Sequence, residues 1–254
     1  MKIALLSDVH GNLEALQSVL ERIEDSKPDR IICLGDIVGY GPNPNETARI
    51  CSDISHISVL GNHDYTVLKM HMDPENIPRL LRGFNPIARR ALLWTYENTN
   101  EDTVDILSKM PLEKLWHDLH IVHASPGFPL DWTYIFTIED ANFFFPYIRG
   151  WAATVGHTHI PAIFTRTIRG VLHIKPEPFV DYQLNRDDLH ILNPGGVGQP
   201  RDGDPRASFG LLIIDGPTAI FRIERVEYPI EITAQKILEA GLPEELAVRL
   251  PIGR

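Results

Sequence analysis

The sequence predicts an α/β protein in which two packed sheets are flanked by helices. In the first half, the short apolar runs KIALLS, DRIICLG and HISVLG each end in glycine or a polar residue, as buried parallel strands do. Between the first two runs, NLEALQSVLERIED repeats its apolar residues at helical spacing, which predicts a β-α-β unit. The second half is richer in strands. A chain of 254 residues with 43% apolar content can bury this arrangement as a single domain over residues 1–254.

The remaining elements follow in chain order. Residues 70–110 are predicted to be mostly helical, and strand character returns in HDLHIVHAS. The three phenylalanines at 143–145 are interpreted as core packing on a short helix. Glycine turns at 169–170 and 215–216 indicate hairpins. The later strands are predicted in WAATVGH, AIFTRTIRGVLHI, LHILNPGG, SFGLLIIDG and AIFRIERVEY.

Composition limits the classes of partner that the protein can have. The formal net charge of −10 disfavours broad nonspecific binding to nucleic acid or anionic lipid. No window approaches the roughly 18 apolar residues of a membrane span, and the N-terminal MKIALLSDVHGN lacks a small-residue cleavage site, so we expect a soluble cytoplasmic protein. Cys33 and Cys51 are too few for a disulfide framework, which suits a reducing compartment. The sequence leaves the oligomeric state open.

Residue types that bind metals follow five of the predicted strands. The sequence at these points reads DVH at 8–10, GD at 35–36, GNHD at 61–64, H at 123 and GHTH at 156–159. Taken alone, Asp8 could cap the following helix, Asp36 could close a turn and His123 could be a hydrogen-bonded core histidine. Helix caps and turns that arise independently would rarely place residues of these types after five strands. Together they predict a metal site at the ends of the strands.

In this order, the five motifs resemble the full signature of the calcineurin-like metallophosphoesterases. They span residues 8–159, and the segment NPGGVGQPRDGDPRAS at 193–208 is similar to one in small bacterial phosphodiesterase-like and phosphatase-like members. The resemblance implies a four-layer α-β-β-α sandwich with a binuclear metal centre between the ends of its two sheets. It also implies that two histidines separated by one threonine, at 157 and 159, bind different ions.

The resemblance further implies which residues hold the two divalent ions. One ion is assigned to Asp8, His10 and His159, the second to Asn62, His123 and His157, and the bridging position to Asp36. A bridging carboxylate offsets the repulsion between two dications, while neutral imidazoles and an amide keep the site positive enough to attract phosphate. We expect manganese, although iron, zinc, cobalt or nickel would accept the same nitrogen and oxygen ligands.

The implied reaction is in-line attack on phosphorus by a water or hydroxide held between the ions. His63 resembles the general acid of the family, which protonates the leaving oxygen. Asp64 either holds the His63 imidazole in place or caps the helix that follows, and one carboxylate could serve both roles.

Departures from the family pattern narrow the range of expected substrates. The chain lacks the arginine that follows the second motif in the protein serine/threonine phosphatases, and it reads GNHD where they read GNHE. The expected reaction is therefore hydrolysis of small phosphate monoesters or diesters. The alternative is a dinucleoside polyphosphate or nucleotide hydrolase, and a protein phosphatase or a non-catalytic binding scaffold is less expected.

Four residues are candidates for substrate contacts. Tyr40, Trp132 and Tyr134 could stack on a base or aryl group, and Arg201 could bind a phosphate. Equally, loop aromatics often cover a core edge, and Arg201 could simply pair with a neighbouring aspartate. The NPGGVG segment lacks the lysine and helix of a P-loop, so we interpret it as a tight turn after a strand near the metal site.

Overall fold

The computed structural model describes residues 1–254. Its strands are β1 Lys2–Leu6, β2 Arg30–Cys33, β3 Ile57–Ser58, β4 Glu113–Trp116, β5 Leu119–Val122, β6 Ala152–Thr154, β7 Ala162–Thr167, β8 Gly170–Ile174, β9 Tyr182–Asn185, β10 Leu189–Asn193, β11 Ala207–Asp215 and β12 Thr218–Val226. Its α-helices are α1 Leu13–Ser26, α2 Pro44–Ile54, α3 Asn62–Met72, α4 Ile77–Leu80, α5 Pro86–Asn98, α6 Glu101–Ser108, α7 Ile138–Phe144, α8 Ile230–Glu239 and α9 Glu244–Val248. No helix is long and apolar enough to cross a membrane.

The strands form two mixed sheets of six strands each. The first sheet has the order β3-β2-β1-β11-β12-β9, with β1, β2 and β3 parallel and the remaining neighbours antiparallel. The second has the order β4-β5-β6-β10-β7-β8, with β5, β6 and β10 parallel. Parallel neighbours end at the same edge of a sheet, so each sheet presents a set of strand ends on one side.

Alternation along the strands divides the core into layers. Ile3 and Leu5 of β1 point toward the second sheet and join a cluster that contains Ile121 of β5 and Leu192 of β10. The intervening Ala4 and Leu6 join a different cluster, which packs against α1 and α3. A third cluster lies between the outer face of the second sheet and α7. The result is the four-layer α-β-β-α sandwich that the resemblance implies, and this prediction is confirmed.

The predicted strands and the two hairpins are present, and residues 77–108 contain three helices. Sequence reasoning missed β4, β9, α2 and the C-terminal helices α8 and α9. The interpretation of the phenylalanines at 143–145 is wrong for one of them. Phe144 and Phe145 are buried, but Phe143 is 58% exposed, because successive positions of a short helix cannot all face the same sheet.

Candidate metal centre

Seven buried residues of metal-ligand type lie at the strand ends, and the potential ligand atoms of six of them, all except Asn62, fall into overlapping groups. They lie on segments that follow the parallel strands β1, β2 and β3 of the first sheet and β5 and β6 of the second. Both sheets therefore contribute to one site, although the contributing segments are far apart in sequence. Each side chain belongs to a residue that is at most 7% exposed: Asp8, His10, Asp36, Asn62, His123, His157 and His159.

Asp36 lies in the middle of this group. Its Oδ2 atom is 3.5 Å from Nε2 of His10 and 3.4 Å from Nε2 of His123. On one side, Oδ1 of Asp8 is 3.3 Å from Nε2 of His159 and 3.9 Å from Nε2 of both His10 and His123. Potential ligand atoms form three overlapping groups within 4.8 Å, and two of the groups contain Asp36. The carboxylate therefore faces residues assigned to both predicted ions.

The backbone of the site is unusual, because five of the seven residues adopt the left-handed conformation. A non-glycine residue with positive φ is uncommon, and such residues cluster at functional sites where the surrounding structure holds them. The five residues and their φ values are Asp8 at 54°, His10 at 49°, Asp36 at 52°, His157 at 64° and His159 at 60°. This conformation turns the side chains off the strand ends and toward one another.

Each of the four histidines uses one ring nitrogen to bond a main-chain carbonyl oxygen. The pairs are Nδ1 of His10 with Val38 at 3.1 Å, Nδ1 of His123 with Leu34 at 2.7 Å, Nε2 of His157 with Trp132 at 2.9 Å and Nδ1 of His159 with Gln199 at 2.7 Å. A carbonyl accepts only from a protonated nitrogen, so the other nitrogen of a neutral ring keeps its lone pair. Histidines that bind metals are oriented by this kind of contact.

The unsatisfied atoms of the site fit divalent cations. Oδ1 of Asp8, Oδ1 of Asn62 and Nε2 of His123 are buried and have no hydrogen-bond partner. A buried polar atom without a partner costs about 1–3 kcal/mol, so three of them in one place indicate a missing ligand. Imidazole nitrogens with carboxylate and amide oxygens are a donor set for divalent transition-metal ions. The side chains therefore fit the metals that the sequence predicts.

Burial sets the protonation of the imidazoles. It lowers the pKa of His157 to about 3 and holds the pKa values of His10 and His159 well below the ordinary value. These rings are neutral and can act as ligands. Burial also acts to lower the pKa of His123, but the carboxylates of Asp36 and Asp8 together with the bond to the Leu34 carbonyl outweigh burial and raise this pKa to about 9. Conversely, burial acts to raise the pKa of Asp36, and His123, His63 and His10 together hold this pKa well below its usual range.

His63 lies beside the same group of side chains and shares a group of potential ligand atoms with His10 and Asp36. The ring centroid is 4.9 Å from that of His10 and 4.4 Å from that of Tyr40, and Nδ1 is buried without a hydrogen-bond partner. Burial lowers the pKa of His63 to about 4. Its backbone N–H donates to Oδ1 of Asp36 at 2.8 Å, so the first turn of α3 is fixed to the centre.

Asp64 is not hydrogen-bonded to His63. Its Oδ1 accepts from the N–H groups of Ile37 and Val38 at 2.9 and 3.0 Å, and its Oδ2 accepts from Gly61 at 3.1 Å. The carboxylate therefore caps the start of α3 and fixes the loop after β2 to that helix. Of the two roles open from the sequence, the structure shows the cap and does not show the contact with the imidazole.

Two glycines make room for these contacts. Gly39 has a φ of 91°, and a Cβ atom there would lie 2.4 Å from Nδ1 of His63. A Cβ atom at Gly61 would lie 2.1 Å from Oδ1 of Asp36. Neither position tolerates a side chain without displacing a residue of the site.

Tyr40 and Arg201 lie beside the centre. Tyr40 is buried, its ring centroid is 4.7 Å from that of His10, and the guanidinium carbon of Arg201 lies 5.7 Å from the centre of the Tyr40 ring. Arg201 does not pair with its acidic neighbours, because Asp202 bonds to Arg225 and Asp204 to Arg206. The alternative of a simple local ion pair is therefore wrong for Arg201.

Trp132 and Tyr134 lie on the loop between β5 and α7. The carbonyl oxygen of Trp132 accepts the bond from His157, so this residue orients a predicted ligand through its backbone. Tyr134 stacks on His157 with centroids 4.0 Å apart, and Phe136 stacks on Tyr134 at 5.2 Å. Both outer rings are more than 40% exposed. They form an aromatic surface that leads outward from the centre.

The NPGGVG segment lies against the centre as a turn after β10. A Cβ atom at Gly196 would be 3.3 Å from His159 and 3.4 Å from Asp8. Asn193 donates to the carbonyl oxygen of Gly156 at 2.7 Å, which ties the segment to the last motif. The segment is thus a backbone support beside the site.

Sequence reasoning missed two residues of the site. Gln199 accepts the bond from His159 through its backbone, and its side-chain oxygen accepts from both Arg201 and Arg249. Gln199 follows NPGGVG, so its nearness to that turn was a usable signal. Arg249 follows α9, more than 85 residues after the last motif at 156–159, and no sequence pattern marks it.

A sandwich with these ligand-type residues at its strand ends is the architecture of a metal-dependent hydrolase. The profile described as calcineurin-like phosphoesterase matches residues 1–192, and the chain belongs to this family. Its members are hydrolases that act on phosphate esters with divalent metal ions. The family resemblance and the phosphoesterase activity expected from the sequence are thereby confirmed.

Relatives of similar length support the assignment. An uncharacterized protein of Methanocaldococcus jannaschii is 38% identical over 258 residues, which cover 99% of this chain and 98% of that protein. A metallophosphoesterase crystal structure from Sphaerobacter thermophilus superposes with a TM-score of 0.84 at 38% identity, over 100% of this chain and 99% of that one. A symmetrical bis(5′-nucleosyl)-tetraphosphatase of Ectopseudomonas mendocina is 33% identical over 141 residues. That match covers 52% of this chain and 47% of the tetraphosphatase.

Proposed function

We propose that the protein hydrolyses phosphate monoesters or diesters of small molecules at a centre that holds two divalent transition-metal ions. One observation carries the proposal. Six buried aspartate and histidine side chains from both sheets place potential ligand atoms in overlapping groups within 4.8 Å, and two of these atoms, Oδ1 of Asp8 and Nε2 of His123, have no hydrogen-bond partner. Such an arrangement is costly unless cations occupy it.

The side chains divide between the two ions as the resemblance implies. Asp8, His10 and His159 would hold one ion, Asn62, His123 and His157 would hold the other, and Asp36 would be shared. The position of Asp36 Oδ2, 3.5 Å from His10 and 3.4 Å from His123, supports the shared role. When bound, the ions activate a water molecule as the nucleophile and neutralise the charge of the phosphoryl oxygens.

His63 donates a proton to the leaving oxygen. Its ring packs beside the candidate ligand His10, with ring centroids 4.9 Å apart, and its Nδ1 has no hydrogen-bond partner. Asp64 acts indirectly, because it bonds only to backbone N–H groups. We assign it a positioning role for the loop that carries Asp36.

Manganese is our expected ion, and iron, zinc, cobalt and nickel remain compatible with the ligand set. The test is a panel of phosphomonoesters, phosphodiesters and dinucleoside polyphosphates, assayed on metal-stripped protein reloaded with each ion separately. Elemental analysis of the same samples should give two ions per chain. Failure to hydrolyse any member of the panel with any ion would contradict the proposal.

Hydrolysis of nucleotides or dinucleoside polyphosphates is the second candidate. The exposed aromatic surface of Tyr134 and Phe136 favours it, because a base can stack on such rings next to the centre. The partial match to a symmetrical bis(5′-nucleosyl)-tetraphosphatase supports the same substrate class. In the panel, this candidate predicts a higher kcat/KM for nucleotide substrates than for aliphatic phosphate esters.

A further inference from the structure

Two arginines lie beside the metal centre and contact the same tyrosine ring. Arg201 follows the NPGGVG turn, whereas Arg249 follows α9 at the other end of the β-rich half. Their guanidinium carbons are 5.7 and 4.8 Å from the centre of the Tyr40 ring. Since Tyr40 packs directly on His10, both charges lie one aromatic ring away from a predicted metal ligand.

No acidic side chain of the protein neutralises this pair. Each arginine donates from Nη2 to the same neutral atom, Oε1 of Gln199, and neither forms an ion pair with a carboxylate. The Nε atoms of both arginines are buried without a partner. Burial, followed by the charge of Arg201, lowers the pKa of Arg249 to about 10. Two like charges held together in this way repel each other unless an anion lies between them.

The pair is fixed in place. The backbone oxygen of Gln199 accepts from Nδ1 of His159 at 2.7 Å, and the backbone N–H of Arg201 donates to the carbonyl oxygen of His159 at 3.3 Å. Arg249 is flanked by residues whose side chains share an apolar cluster with Tyr40, among them Leu246 and Leu250. The guanidinium groups are therefore preorganised next to the centre, which favours a specific ligand over solvent.

We propose that Arg201 and Arg249 form an anion subsite that binds a second phosphate group of the substrate, adjacent to the group that is hydrolysed. This inference rests on the proposed function, because it places the reacting phosphate at the metal ions. The positive charge of two divalent ions exceeds the negative charge of Asp8 and Asp36. The excess is about equal in size to the charge of one phosphoryl group. The two arginines remain uncompensated, and a second phosphate balances them with bidentate hydrogen bonds.

The subsite selects substrates with two neighbouring phosphate groups. Nucleoside diphosphates and longer phosphate chains satisfy both the ions and the arginines, whereas a simple monoester leaves the arginines unpaired. Loss of a charge-assisted hydrogen bond is a large penalty, and it provides discrimination between the two substrate types.

The kinetic test compares the metal-loaded protein with Arg201→Gln and Arg249→Gln, using a nucleoside diphosphate and the matching nucleoside monophosphate. We expect the wild-type protein to prefer the diphosphate in kcat/KM. Each substitution should reduce this preference at least about tenfold, which corresponds to about 1.4 kcal/mol. Arg249→Lys keeps the charge and should retain more of the preference than Arg249→Gln.

Arg90→Gln is the matched control. Arg90 is exposed and lines the same surface cavity as Arg249, so its removal takes one positive charge from the neighbourhood without touching Tyr40 or Gln199. This variant should keep the wild-type preference. An unchanged preference in both Arg201→Gln and Arg249→Gln, with thermal unfolding still cooperative, would overturn the subsite.

A binding measurement separates this inference from the proposed function. Calorimetry on the metal-loaded protein uses a nucleoside diphosphate whose bridging oxygen is replaced by methylene, again compared with the monophosphate. The methylene analogue should bind more tightly than the monophosphate, and Arg249→Gln should reduce this difference at least about tenfold. That result supports the subsite even if the protein hydrolyses no phosphoester, in which case only the proposed function fails. Equal binding of both ligands to the wild-type protein would overturn the subsite even if aryl phosphates are hydrolysed.

Discussion

At the scale of single residues, Asp36 connects three parts of the centre through one carboxylate. Its Oδ1 accepts the backbone N–H of His63, and its Oδ2 faces His10 and His123. Its left-handed backbone turns the side chain back from the end of β2 toward these partners. No other side chain of the site faces ligands of both predicted ions and also contacts α3.

Replacement of Asp36 should therefore remove the metals together with the activity. We expect Asp36→Ala to abolish hydrolysis and to lower the metal content, measured by elemental analysis after reloading. Asp36→Asn preserves the size of the side chain and should show the same loss, because the negative charge is what the cations require. Asp53→Ala removes an exposed carboxylate and serves as the control. Full activity in Asp36→Ala would contradict the shared ligand.

His63 is predicted to act on the leaving group and not on the metals. His63→Ala should keep the metal content but lose roughly 10²–10⁴ in turnover on esters with alkoxide-like leaving groups. With a nitrophenolate ester, whose departing oxygen needs little protonation, the loss should be much smaller. A leaving-group series measures this trend. Equal losses across the series would show that His63 positions phosphate or water instead.

Gly39 is predicted to be needed for the position of His63. An alanine at this residue adopts a strained positive φ, at a cost of roughly 1–2 kcal/mol, and its Cβ atom also collides with the imidazole. Gly203→Ala is a close control, because Gly203 also has a positive φ but has open space around its Cβ position. Both variants should lose stability in urea unfolding, Gly39→Ala more than Gly203→Ala because of the collision, and only Gly39→Ala should lose turnover. Equal turnover in the two variants would contradict the contact with His63.

At the scale of elements, the first turn of α3 is hydrogen-bonded to the loop after β2 and holds it in place. Asp64 holds both parts through the N–H groups of Ile37, Val38 and Gly61. This contact explains how a two-residue strand, β3, can still deliver a helix start to the centre. The helix is positioned by its cap and not by the short ladder of β3 with β2.

Replacement of Asp64 tests whether it positions the loop or assists His63. Asp64→Ala leaves three buried N–H donors without their acceptor, so we expect a loss of stability of at least about 2 kcal/mol in urea unfolding. Turnover should fall by a similar factor for good and poor leaving groups. A defect that grows with the pKa of the leaving group, as predicted for His63→Ala, would instead show that Asp64 acts through the imidazole.

At the scale of the whole molecule, the apolar layer between the sheets holds the two halves of the centre together. The first sheet carries Asp8, Asp36 and Asn62, and the second carries the histidines from 123 to 159. Phe221 of β12 is fully buried in the layer between the sheets. Its packing therefore supports a site to which it contributes no ligand.

Removal of the Phe221 ring should destabilise the sandwich and weaken metal binding together. We expect Phe221→Ala to cost about 3–5 kcal/mol in the free energy of unfolding, measured with urea on metal-free protein. Ile168→Ala, at an exposed hairpin turn, should change stability by less than about 0.5 kcal/mol. If Phe221→Ala unfolds like the wild-type protein, the apolar layer does not hold the sheets together.

The order of the motifs allowed the fold and the candidate ligands to be predicted from the sequence. Asp8 and Asp36 follow β1 and β2, which are parallel neighbours, so their strand ends could be grouped from the sequence. His123 follows β5 of the second sheet, and the resemblance to the family implied its place in the same centre. The hydrophobic periodicity that predicts strands is weaker in β4 and β9. Both strands are short, have exposed positions and pair at or near sheet edges. Short strands of this kind show little periodicity, and both were missed.

Local sequence determined which residues are candidates for the chemistry, because residue type and position at a strand end are properties of short segments. Tertiary structure alone decided what those residues contact. It showed that Asp64 bonds to backbone, that Arg201 avoids its acidic neighbours, and that Arg249 reaches Gln199 from the C-terminal helices. Arg249 and Gln199 are 50 residues apart, and Asp202, the neighbour of Arg201, pairs with Arg225, which lies 23 residues further along the chain. The outcome of these contacts depends on packing between distant elements, which no local pattern encodes.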